Sequence, residues 1–198
     1  MVTIKVGLDK KEFMVHKGLL CHYSLYFEVT LKYELQSAED TVVELPDHDM
    51  EAFAALNGWL CTRHLFDPRA DEGKVPINHK ILWQVYLFGD TLCMPALKNA
   101  AVGAIGARVI NDWKAFCSSL RHFYEHAPRG SPLRKLAKHI ALERYCEFAL
   151  GSEFLGDLED EVRKDNVVRR TVSLEEQYDT NRCEYHDHGI VQGSTSER

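Results

Sequence analysis

Apolar and polar positions alternate with a period of two at the start of the chain, then switch to a helical period. Val2, Ile4 and Val6 fall on one face of a strand. Gly7-Leu8-Asp9-Lys10 has turn chemistry, and Glu12 to Val15 returns as the second arm of a hairpin. Phe13 and Val15 point one way, Met14 and His16 the other. From Lys17 the apolar residues fall at Leu19, Leu20, Tyr23, Phe27, Thr30 and Leu31, a spacing that predicts one helix from about Lys17 to Tyr33. A strand that runs straight into a helix buries both in one place, so this junction is expected to nucleate the core, with Leu20 and Phe27 inside.

The rest of the pattern is mainly helical. Gln36 to Thr41 reads as loop, and Val42 to Leu45 as a third short strand stopped by Pro46. Asp47 or Asp49 can cap the next helix, whose inner face is Phe53, Leu56, Asn57 and Leu60 with Trp59 adjacent. Arg63 to Asn78, with Pro68, Gly73 and Pro76, reads as a long surface loop. Ile81, Leu82, Val85, Leu87, Phe88 and Leu92 form a strongly apolar helix. Pro95 starts another, with Leu97, Ala101, Ala104 and Ile105 inside. Asn111 or Asp112 is expected to cap a helix holding Phe116, Leu120, Phe123 and Tyr124. Ser131-Pro132 opens a last apolar stripe of Leu133, Leu136, Ala137, Ile140, Ala141 and Phe148, and Glu153 to Lys164 can add one more helix.

Composition bounds the class. The chain has 198 residues, 45% apolar and 27% charged, normal for a globular protein large enough to bury a core without disulfides or metal. Residues 151–198 hold 12 acidic and 6 basic side chains and account for the net charge of −6, while the first 150 balance. No basic surface is indicated, so nucleic acid is not an expected partner. No apolar run approaches the roughly 20 residues that span a bilayer, so neither is a membrane. Six cysteines without scaffold spacing, and no secretory signal at Met1, predict an intracellular protein with reduced thiols. Nucleus and cytoplasm are not distinguished.

The reactive residues read more simply as structure. Cys61-x-x-His64 and Cys183-x-x-His186-x-His188 have spacings zinc could use, but neither has a second tight pair nearby, so no metal or other cofactor is expected. His16 reads as a packed or hydrogen-bonded histidine, not a base. Cys21 and His22, adjacent on a helix, point about 100° apart and cannot act as nucleophile and base. Gly103-x-x-Gly106 lies inside a helical pattern and suits close packing better than phosphate binding. With no paired carboxylates set apart from solvated faces, no catalytic residue is nominated and no enzyme is expected.

Larger motifs carry a resemblance. Val15-His16-Lys17, Leu19-Leu20 and Ser24-x-Tyr26-Phe27 are followed by Val43-Glu44-Leu45-Pro46-Asp47, Phe53, and Trp59-Leu60-Cys61-Thr62. Leu82-x-x-Val85-Tyr86-x-Phe88-x-Asp90 and Met94-Pro95-x-Leu97 complete the set. Together they resemble the BTB/POZ domain family over roughly Val2 to Ala107. The later Phe123 to Pro128 and Ser131 to Arg134 are similar to the helical extension of single-domain BTB proteins of fungi. The resemblance implies an α+β fold, a small mixed β-sheet packed with a cluster of α-helices plus a helical C-terminal extension. It divides the chain into a BTB/POZ-like domain at 1–107, a helical extension at 108–165 and an acidic, mostly disordered tail at 166–198.

It also implies function: a non-catalytic protein–protein interaction module that binds itself or another BTB chain, or else a substrate adaptor of a cullin ubiquitin ligase. In many family dimers the first helix lies across the dimer axis, which implies an interaction surface here of Lys17, Leu25, Tyr26 and Val29. Some family features are absent. Met1 stands where dimeric members place an Asp opposite the position of Lys17, and no exchanged segment is expected before the first strand. The family's Tyr-Thr-Gly is Cys61-Thr62-Arg63, and the apolar-x-Glu motif of cullin adaptors is Leu35-Gln36-Ser37. The expectation is a weak homodimer or a heteromeric pair, with weak cullin binding at most.

Overall fold

The structure, a computed structural model, describes residues 1–33, 42–66, 75–111, 124 and 127–143. Its elements follow the hydrophobic pattern closely. Strand β1 (Val2–Val6) buries Val2, Ile4 and Val6, and strand β2 (Lys11–Val15) buries Val15. Between them Gly7 takes φ 74° and Lys10 φ 50°. The first is a left-handed conformation that glycine adopts without a Cβ penalty, which is why the turn starts there.

β1 pairs antiparallel with β2 and parallel with β3 (Val42–Leu45), giving a mixed sheet in the order β2-β1-β3. The register sorts its outer face into two rows. Thr3 stands between Met14 and Val42, and Lys5 between Glu12 and Glu44, with the Lys5–Glu12 ion pair at 3.3 Å. The inner face joins helices in one continuous core.

The helix between β2 and β3 differs from the single element the spacing predicts. It is two helices, α1 (Lys17–Tyr23) and α2 (Leu25–Tyr33), broken at Ser24. After β3, Asp49 opens α3 (Met50–Thr62) by accepting from the backbone N–H groups of Glu51 and Ala52 at 2.8 and 3.0 Å. Of the two candidate caps, Asp49 takes the role. Phe53, Leu56, Trp59 and Leu60 are buried, and Asn57 only partly so.

Asn78 caps α4 (His79–Thr91) through the N–H of Ile81 at 2.9 Å. Its buried face is Ile81, Leu82, Trp83, Val85, Tyr86 and Phe88. Leu87, counted with the apolar stripe, points outward at 38% exposure, because the aromatic rings of Trp83 and Tyr86 complete the inner face instead. α5 (Pro95–Asn111) buries Leu97, Ala101, Ala104 and Ile105 as expected, and both Gly103 and Gly106 lie within it.

α5 ends at Asn111, and the helix expected after Asn111 or Asp112 lies outside the described residues, as residues 112–123 do. The side chain of Ser131 accepts from the N–H of Arg134 at 3.2 Å and starts α6 (Pro132–Glu143), whose Leu133, Leu136 and Ala137 join the core. Half of the Arg63–Asn78 loop (67–74), and the proposed helix and tail beyond residue 143, also lie outside the described residues.

Two arginines tie segments together through main-chain carbonyls. Arg108 of α5 donates to Val75 and Ile77 at 2.6 and 3.0 Å, holding the entry to α4. Arg134 of α6 donates to Tyr124 and Ala127 and lies 4.1 Å from the centroid of the Tyr124 ring. A planar fork with fixed donors suits this bridging role better than a lysine would.

Candidate interaction surface

The surface is built from the break at Ser24. Ser24 has extended backbone angles (φ −132°, ψ 114°) and is 1% exposed. Its N–H donates to the carbonyl of Leu20 at 2.9 Å and closes α1. Its own carbonyl accepts from Glu28 at 2.9 Å and opens α2. The side chain completes the corner: Oγ accepts from the N–H of Phe27 at 3.1 Å and donates to the carbonyl of Leu92 at 2.6 Å. Serine suits this place because one hydroxyl can accept from a helix N-terminus and donate elsewhere at once.

On α2 Phe27 and Leu31 are buried at 0% exposure while the opposite side faces out. That side carries Leu25 at 60%, Tyr26 at 37% and Val29 at 47% exposure. Leu25 and Val29 are one turn apart on the same helix face. A Glu28–Lys32 ion pair borders them, and the carboxylate's hydrogen bond and charge raise the Lys32 ammonium above its ordinary range.

Of the four residues expected on this surface, the structure groups Leu25, Tyr26 and Val29 on α2. Lys17 lies on α1, and its Nζ donates to the carbonyl of Leu31 at 3.2 Å, bridging α1 to α2.

Two reactive side chains near this surface make local contacts. Cys21 Sγ lies 3.8 Å from the carbonyl of Phe27, while the ring of His22 packs edge-on against Tyr23 at 4.4 Å. His16 is exposed, not packed, because it sits at the N-cap of α1 with no side-chain capping bond. Cys61 and His64 are both exposed. Among the described residues no three His, Cys, Asp or Glu side chains are grouped to hold a metal ion. Cys183, His186 and His188 lie outside the described residues.

One feature lacks a local sequence signal. Arg63 caps α3 with φ 66°, donates through Nη2 to the carbonyl of Leu60, and lays its guanidinium over the rings of Tyr23 and Trp59. It occupies the position where the family resemblance places glycine, the residue most at ease in that conformation. Only the proximity of α1 and α3, a tertiary fact, reveals the aromatic partners.

The described residues thus form an α+β module whose outward features are apolar surface and ion pairs. Residues 2–103 match the family model described as BTB/POZ domain, and the chain belongs to that family. The match covers β1 through most of α5, so all three strands and the candidate surface lie within it. No curated protein matches the chain. BTB/POZ domains serve as protein-interaction modules, self-association and cullin binding among their modes. Among the described residues no helix is long and apolar enough to cross a membrane.

Proposed function

We propose that the protein is a non-catalytic interaction module that associates with itself, or with a related BTB chain, through the outer face of α2. The observation that carries this reading is the clustering of Leu25, Tyr26 and Val29 at 60%, 37% and 47% exposure on one helix. Scattered exposed apolar residues are ordinary, but three within five positions on one face form a patch that contact with a partner would bury. Three side chains do not make a stable homodimer interface of about 1,200–2,000 Å², so the contact is a weak one. Lys17, anchored to Leu31, would flank it and brace the two helices without supplying an intermolecular charge.

Sedimentation of the full chain at about 1–100 μM, the range of a micromolar dissociation constant, tests this reading. The expected result is a concentration-dependent dimer that Val29→Glu abolishes without lowering thermal stability. A strict monomer across the range defeats self-association, and a dimer indifferent to Val29→Glu moves the contact elsewhere. In the proposed organisation the interaction domain spans 1–107, the helical extension 108–165, and the acidic tail 166–198. Limited proteolysis with cuts concentrated beyond residue 165 would support that division.

A further inference from the structure

The corner that opens α2 is tied to a distant turn. Ser24 Oγ reaches the carbonyl of Leu92, at the end of α4, and the same oxygen accepts from Phe27, inside α2. Leu92 is buried, and Cys93 after it has φ 52°, a conformation that a residue with a Cβ adopts only when its surroundings hold it. The turn is braced by hydrogen bonds from Leu92 N–H to Phe88, Cys93 N–H to Asp90 and Met94 N–H to Gly89, at 2.8, 3.2 and 2.7 Å. An Asp90–Lys98 ion pair at 2.8 Å links the two helices that flank it. A buried hydroxyl whose one acceptor is a carbonyl in this turn therefore makes the start of α2 depend on the turn's geometry.

We propose that Ser24 is a positioning residue for the interaction face, and that the α4–α5 turn regulates association through the Ser24–Leu92 hydrogen bond. This rests on the reading of α2 as the contact. When the turn shifts, the Leu92 carbonyl moves, the hydroxyl loses its acceptor, and the first turn of α2 carrying Leu25 and Tyr26 loosens. A partner that needs those side chains in register then binds more weakly, although the turn itself touches no partner. Two sites joined through one discrete contact should show a coupling free energy.

A double-mutant cycle on the full chain tests it, pairing Ser24→Ala with Cys93→Val, which places a β-branched side chain at positive φ. Two quantities are read in each variant: the dimer dissociation constant by sedimentation, and amide exchange at Phe27 and Glu28. Cys93→Val should weaken association about 5-fold or more in the otherwise unaltered chain, and have little effect once Ser24 is Ala. Ser24→Thr, which keeps the hydroxyl, should restore the sensitivity. Exchange at Phe27 and Glu28 should follow the same pattern.

Additive effects of the two substitutions in both readouts would overturn the link. If the chain proves monomeric, the proposed function fails on its own, while the exchange cycle still decides whether the turn controls the start of α2. Should Cys93→Val prevent folding, Asp90→Asn, which weakens the brace on the turn with a smaller change, takes its place in the same cycle.

Discussion

The guanidinium of Arg63 lies 3.5 Å from the centroid of the Tyr23 ring, so the cap of α3 is held by a side chain of α1. Trp59 contributes a second face at 4.7 Å. The arrangement accounts for a residue with a Cβ at φ 66°. Arg63→Ala keeps the backbone strain and loses the cation–π contacts, and should lower stability by about 1–2 kcal/mol. Arg63→Gly loses the same contacts but relieves the left-handed strain, so it should lie closer to the unaltered protein. Urea unfolding of the two variants checks the order; Ala at or above Gly would show that the cap carries no strain.

Leu20 and Phe27 are both at 0% exposure, on either side of the Ser24 corner. Truncation of either to Ala should cost about 2–5 kcal/mol, from lost burial and the cavity left behind. Unchanged denaturation midpoints in both variants would mean that α1 and α2 do not pack as described.

Two glycines should respond to Ala with opposite signs. A Cβ on Gly89 would stand 2.5 Å from Lys98 Cγ and 2.9 Å from its backbone nitrogen, so α4 and α5 would have to move apart. Gly89→Ala should cost about 1–3 kcal/mol, as overpacked cores do. Gly58, inside α3, has nothing within 4 Å of that position. Gly58→Ala should stabilise by about 0.5–1 kcal/mol through helix propensity. Thermal melts that moved in the same direction for both would contradict the helix packing.

His48 stacks on Phe88 with ring centroids 4.6 Å apart, and its buried Nδ1 has no hydrogen-bond partner. Burial lowers its pKa, and the charge of Asp47 only partly opposes this. The folded state thus binds the proton less readily than the unfolded chain. The resulting stabilisation is present above the ordinary histidine value of about 6.5 and is lost as pH falls through the depressed folded value. His48→Phe should flatten this part of the stability–pH curve, measured by denaturant unfolding between about pH 7.5 and 5. An undiminished slope in His48→Phe would assign it to other groups.

The elements legible in the sequence are those whose causes are local. Ser131-Pro132 and Asp49 start helices through bonds made within three residues, and the alternation of Val2, Ile4 and Val6 places β1 without help from the rest of the chain. The Ser24 break was hidden because Leu20, Phe27 and Leu31 keep helical spacing across it, while its side-chain acceptor, Leu92, is 68 residues away. Of the candidate surface, Leu25, Tyr26 and Val29 were legible as apolar residues beyond the inner stripe. The engagement of Lys17 was not, since a lysine at a helix start does not announce which carbonyl it will reach. Arg63 is legible as a departure from glycine, but the rings that hold it come from two different helices.

The placement of β3 also governs the order in which the protein can complete itself. β1 is the central strand, yet its parallel neighbour is synthesised only after α1, α2 and the following segment, with Thr3 meeting Val42. A chain still emerging from the ribosome therefore has its first hairpin before it has Val43 and Leu45, or the α3 and α4 residues that share the core with Ile4. Non-local pairing of this kind is slow relative to hairpin and helix formation. Nascent chains stalled with residues 1–33 outside the ribosome and residue 42 still inside should offer Val2, Ile4 and Val15 to chaperones, and those stalled after α4 has emerged should not. A pulldown of nascent chains in which chaperone occupancy ignored that boundary would show that the hairpin finds its cover elsewhere.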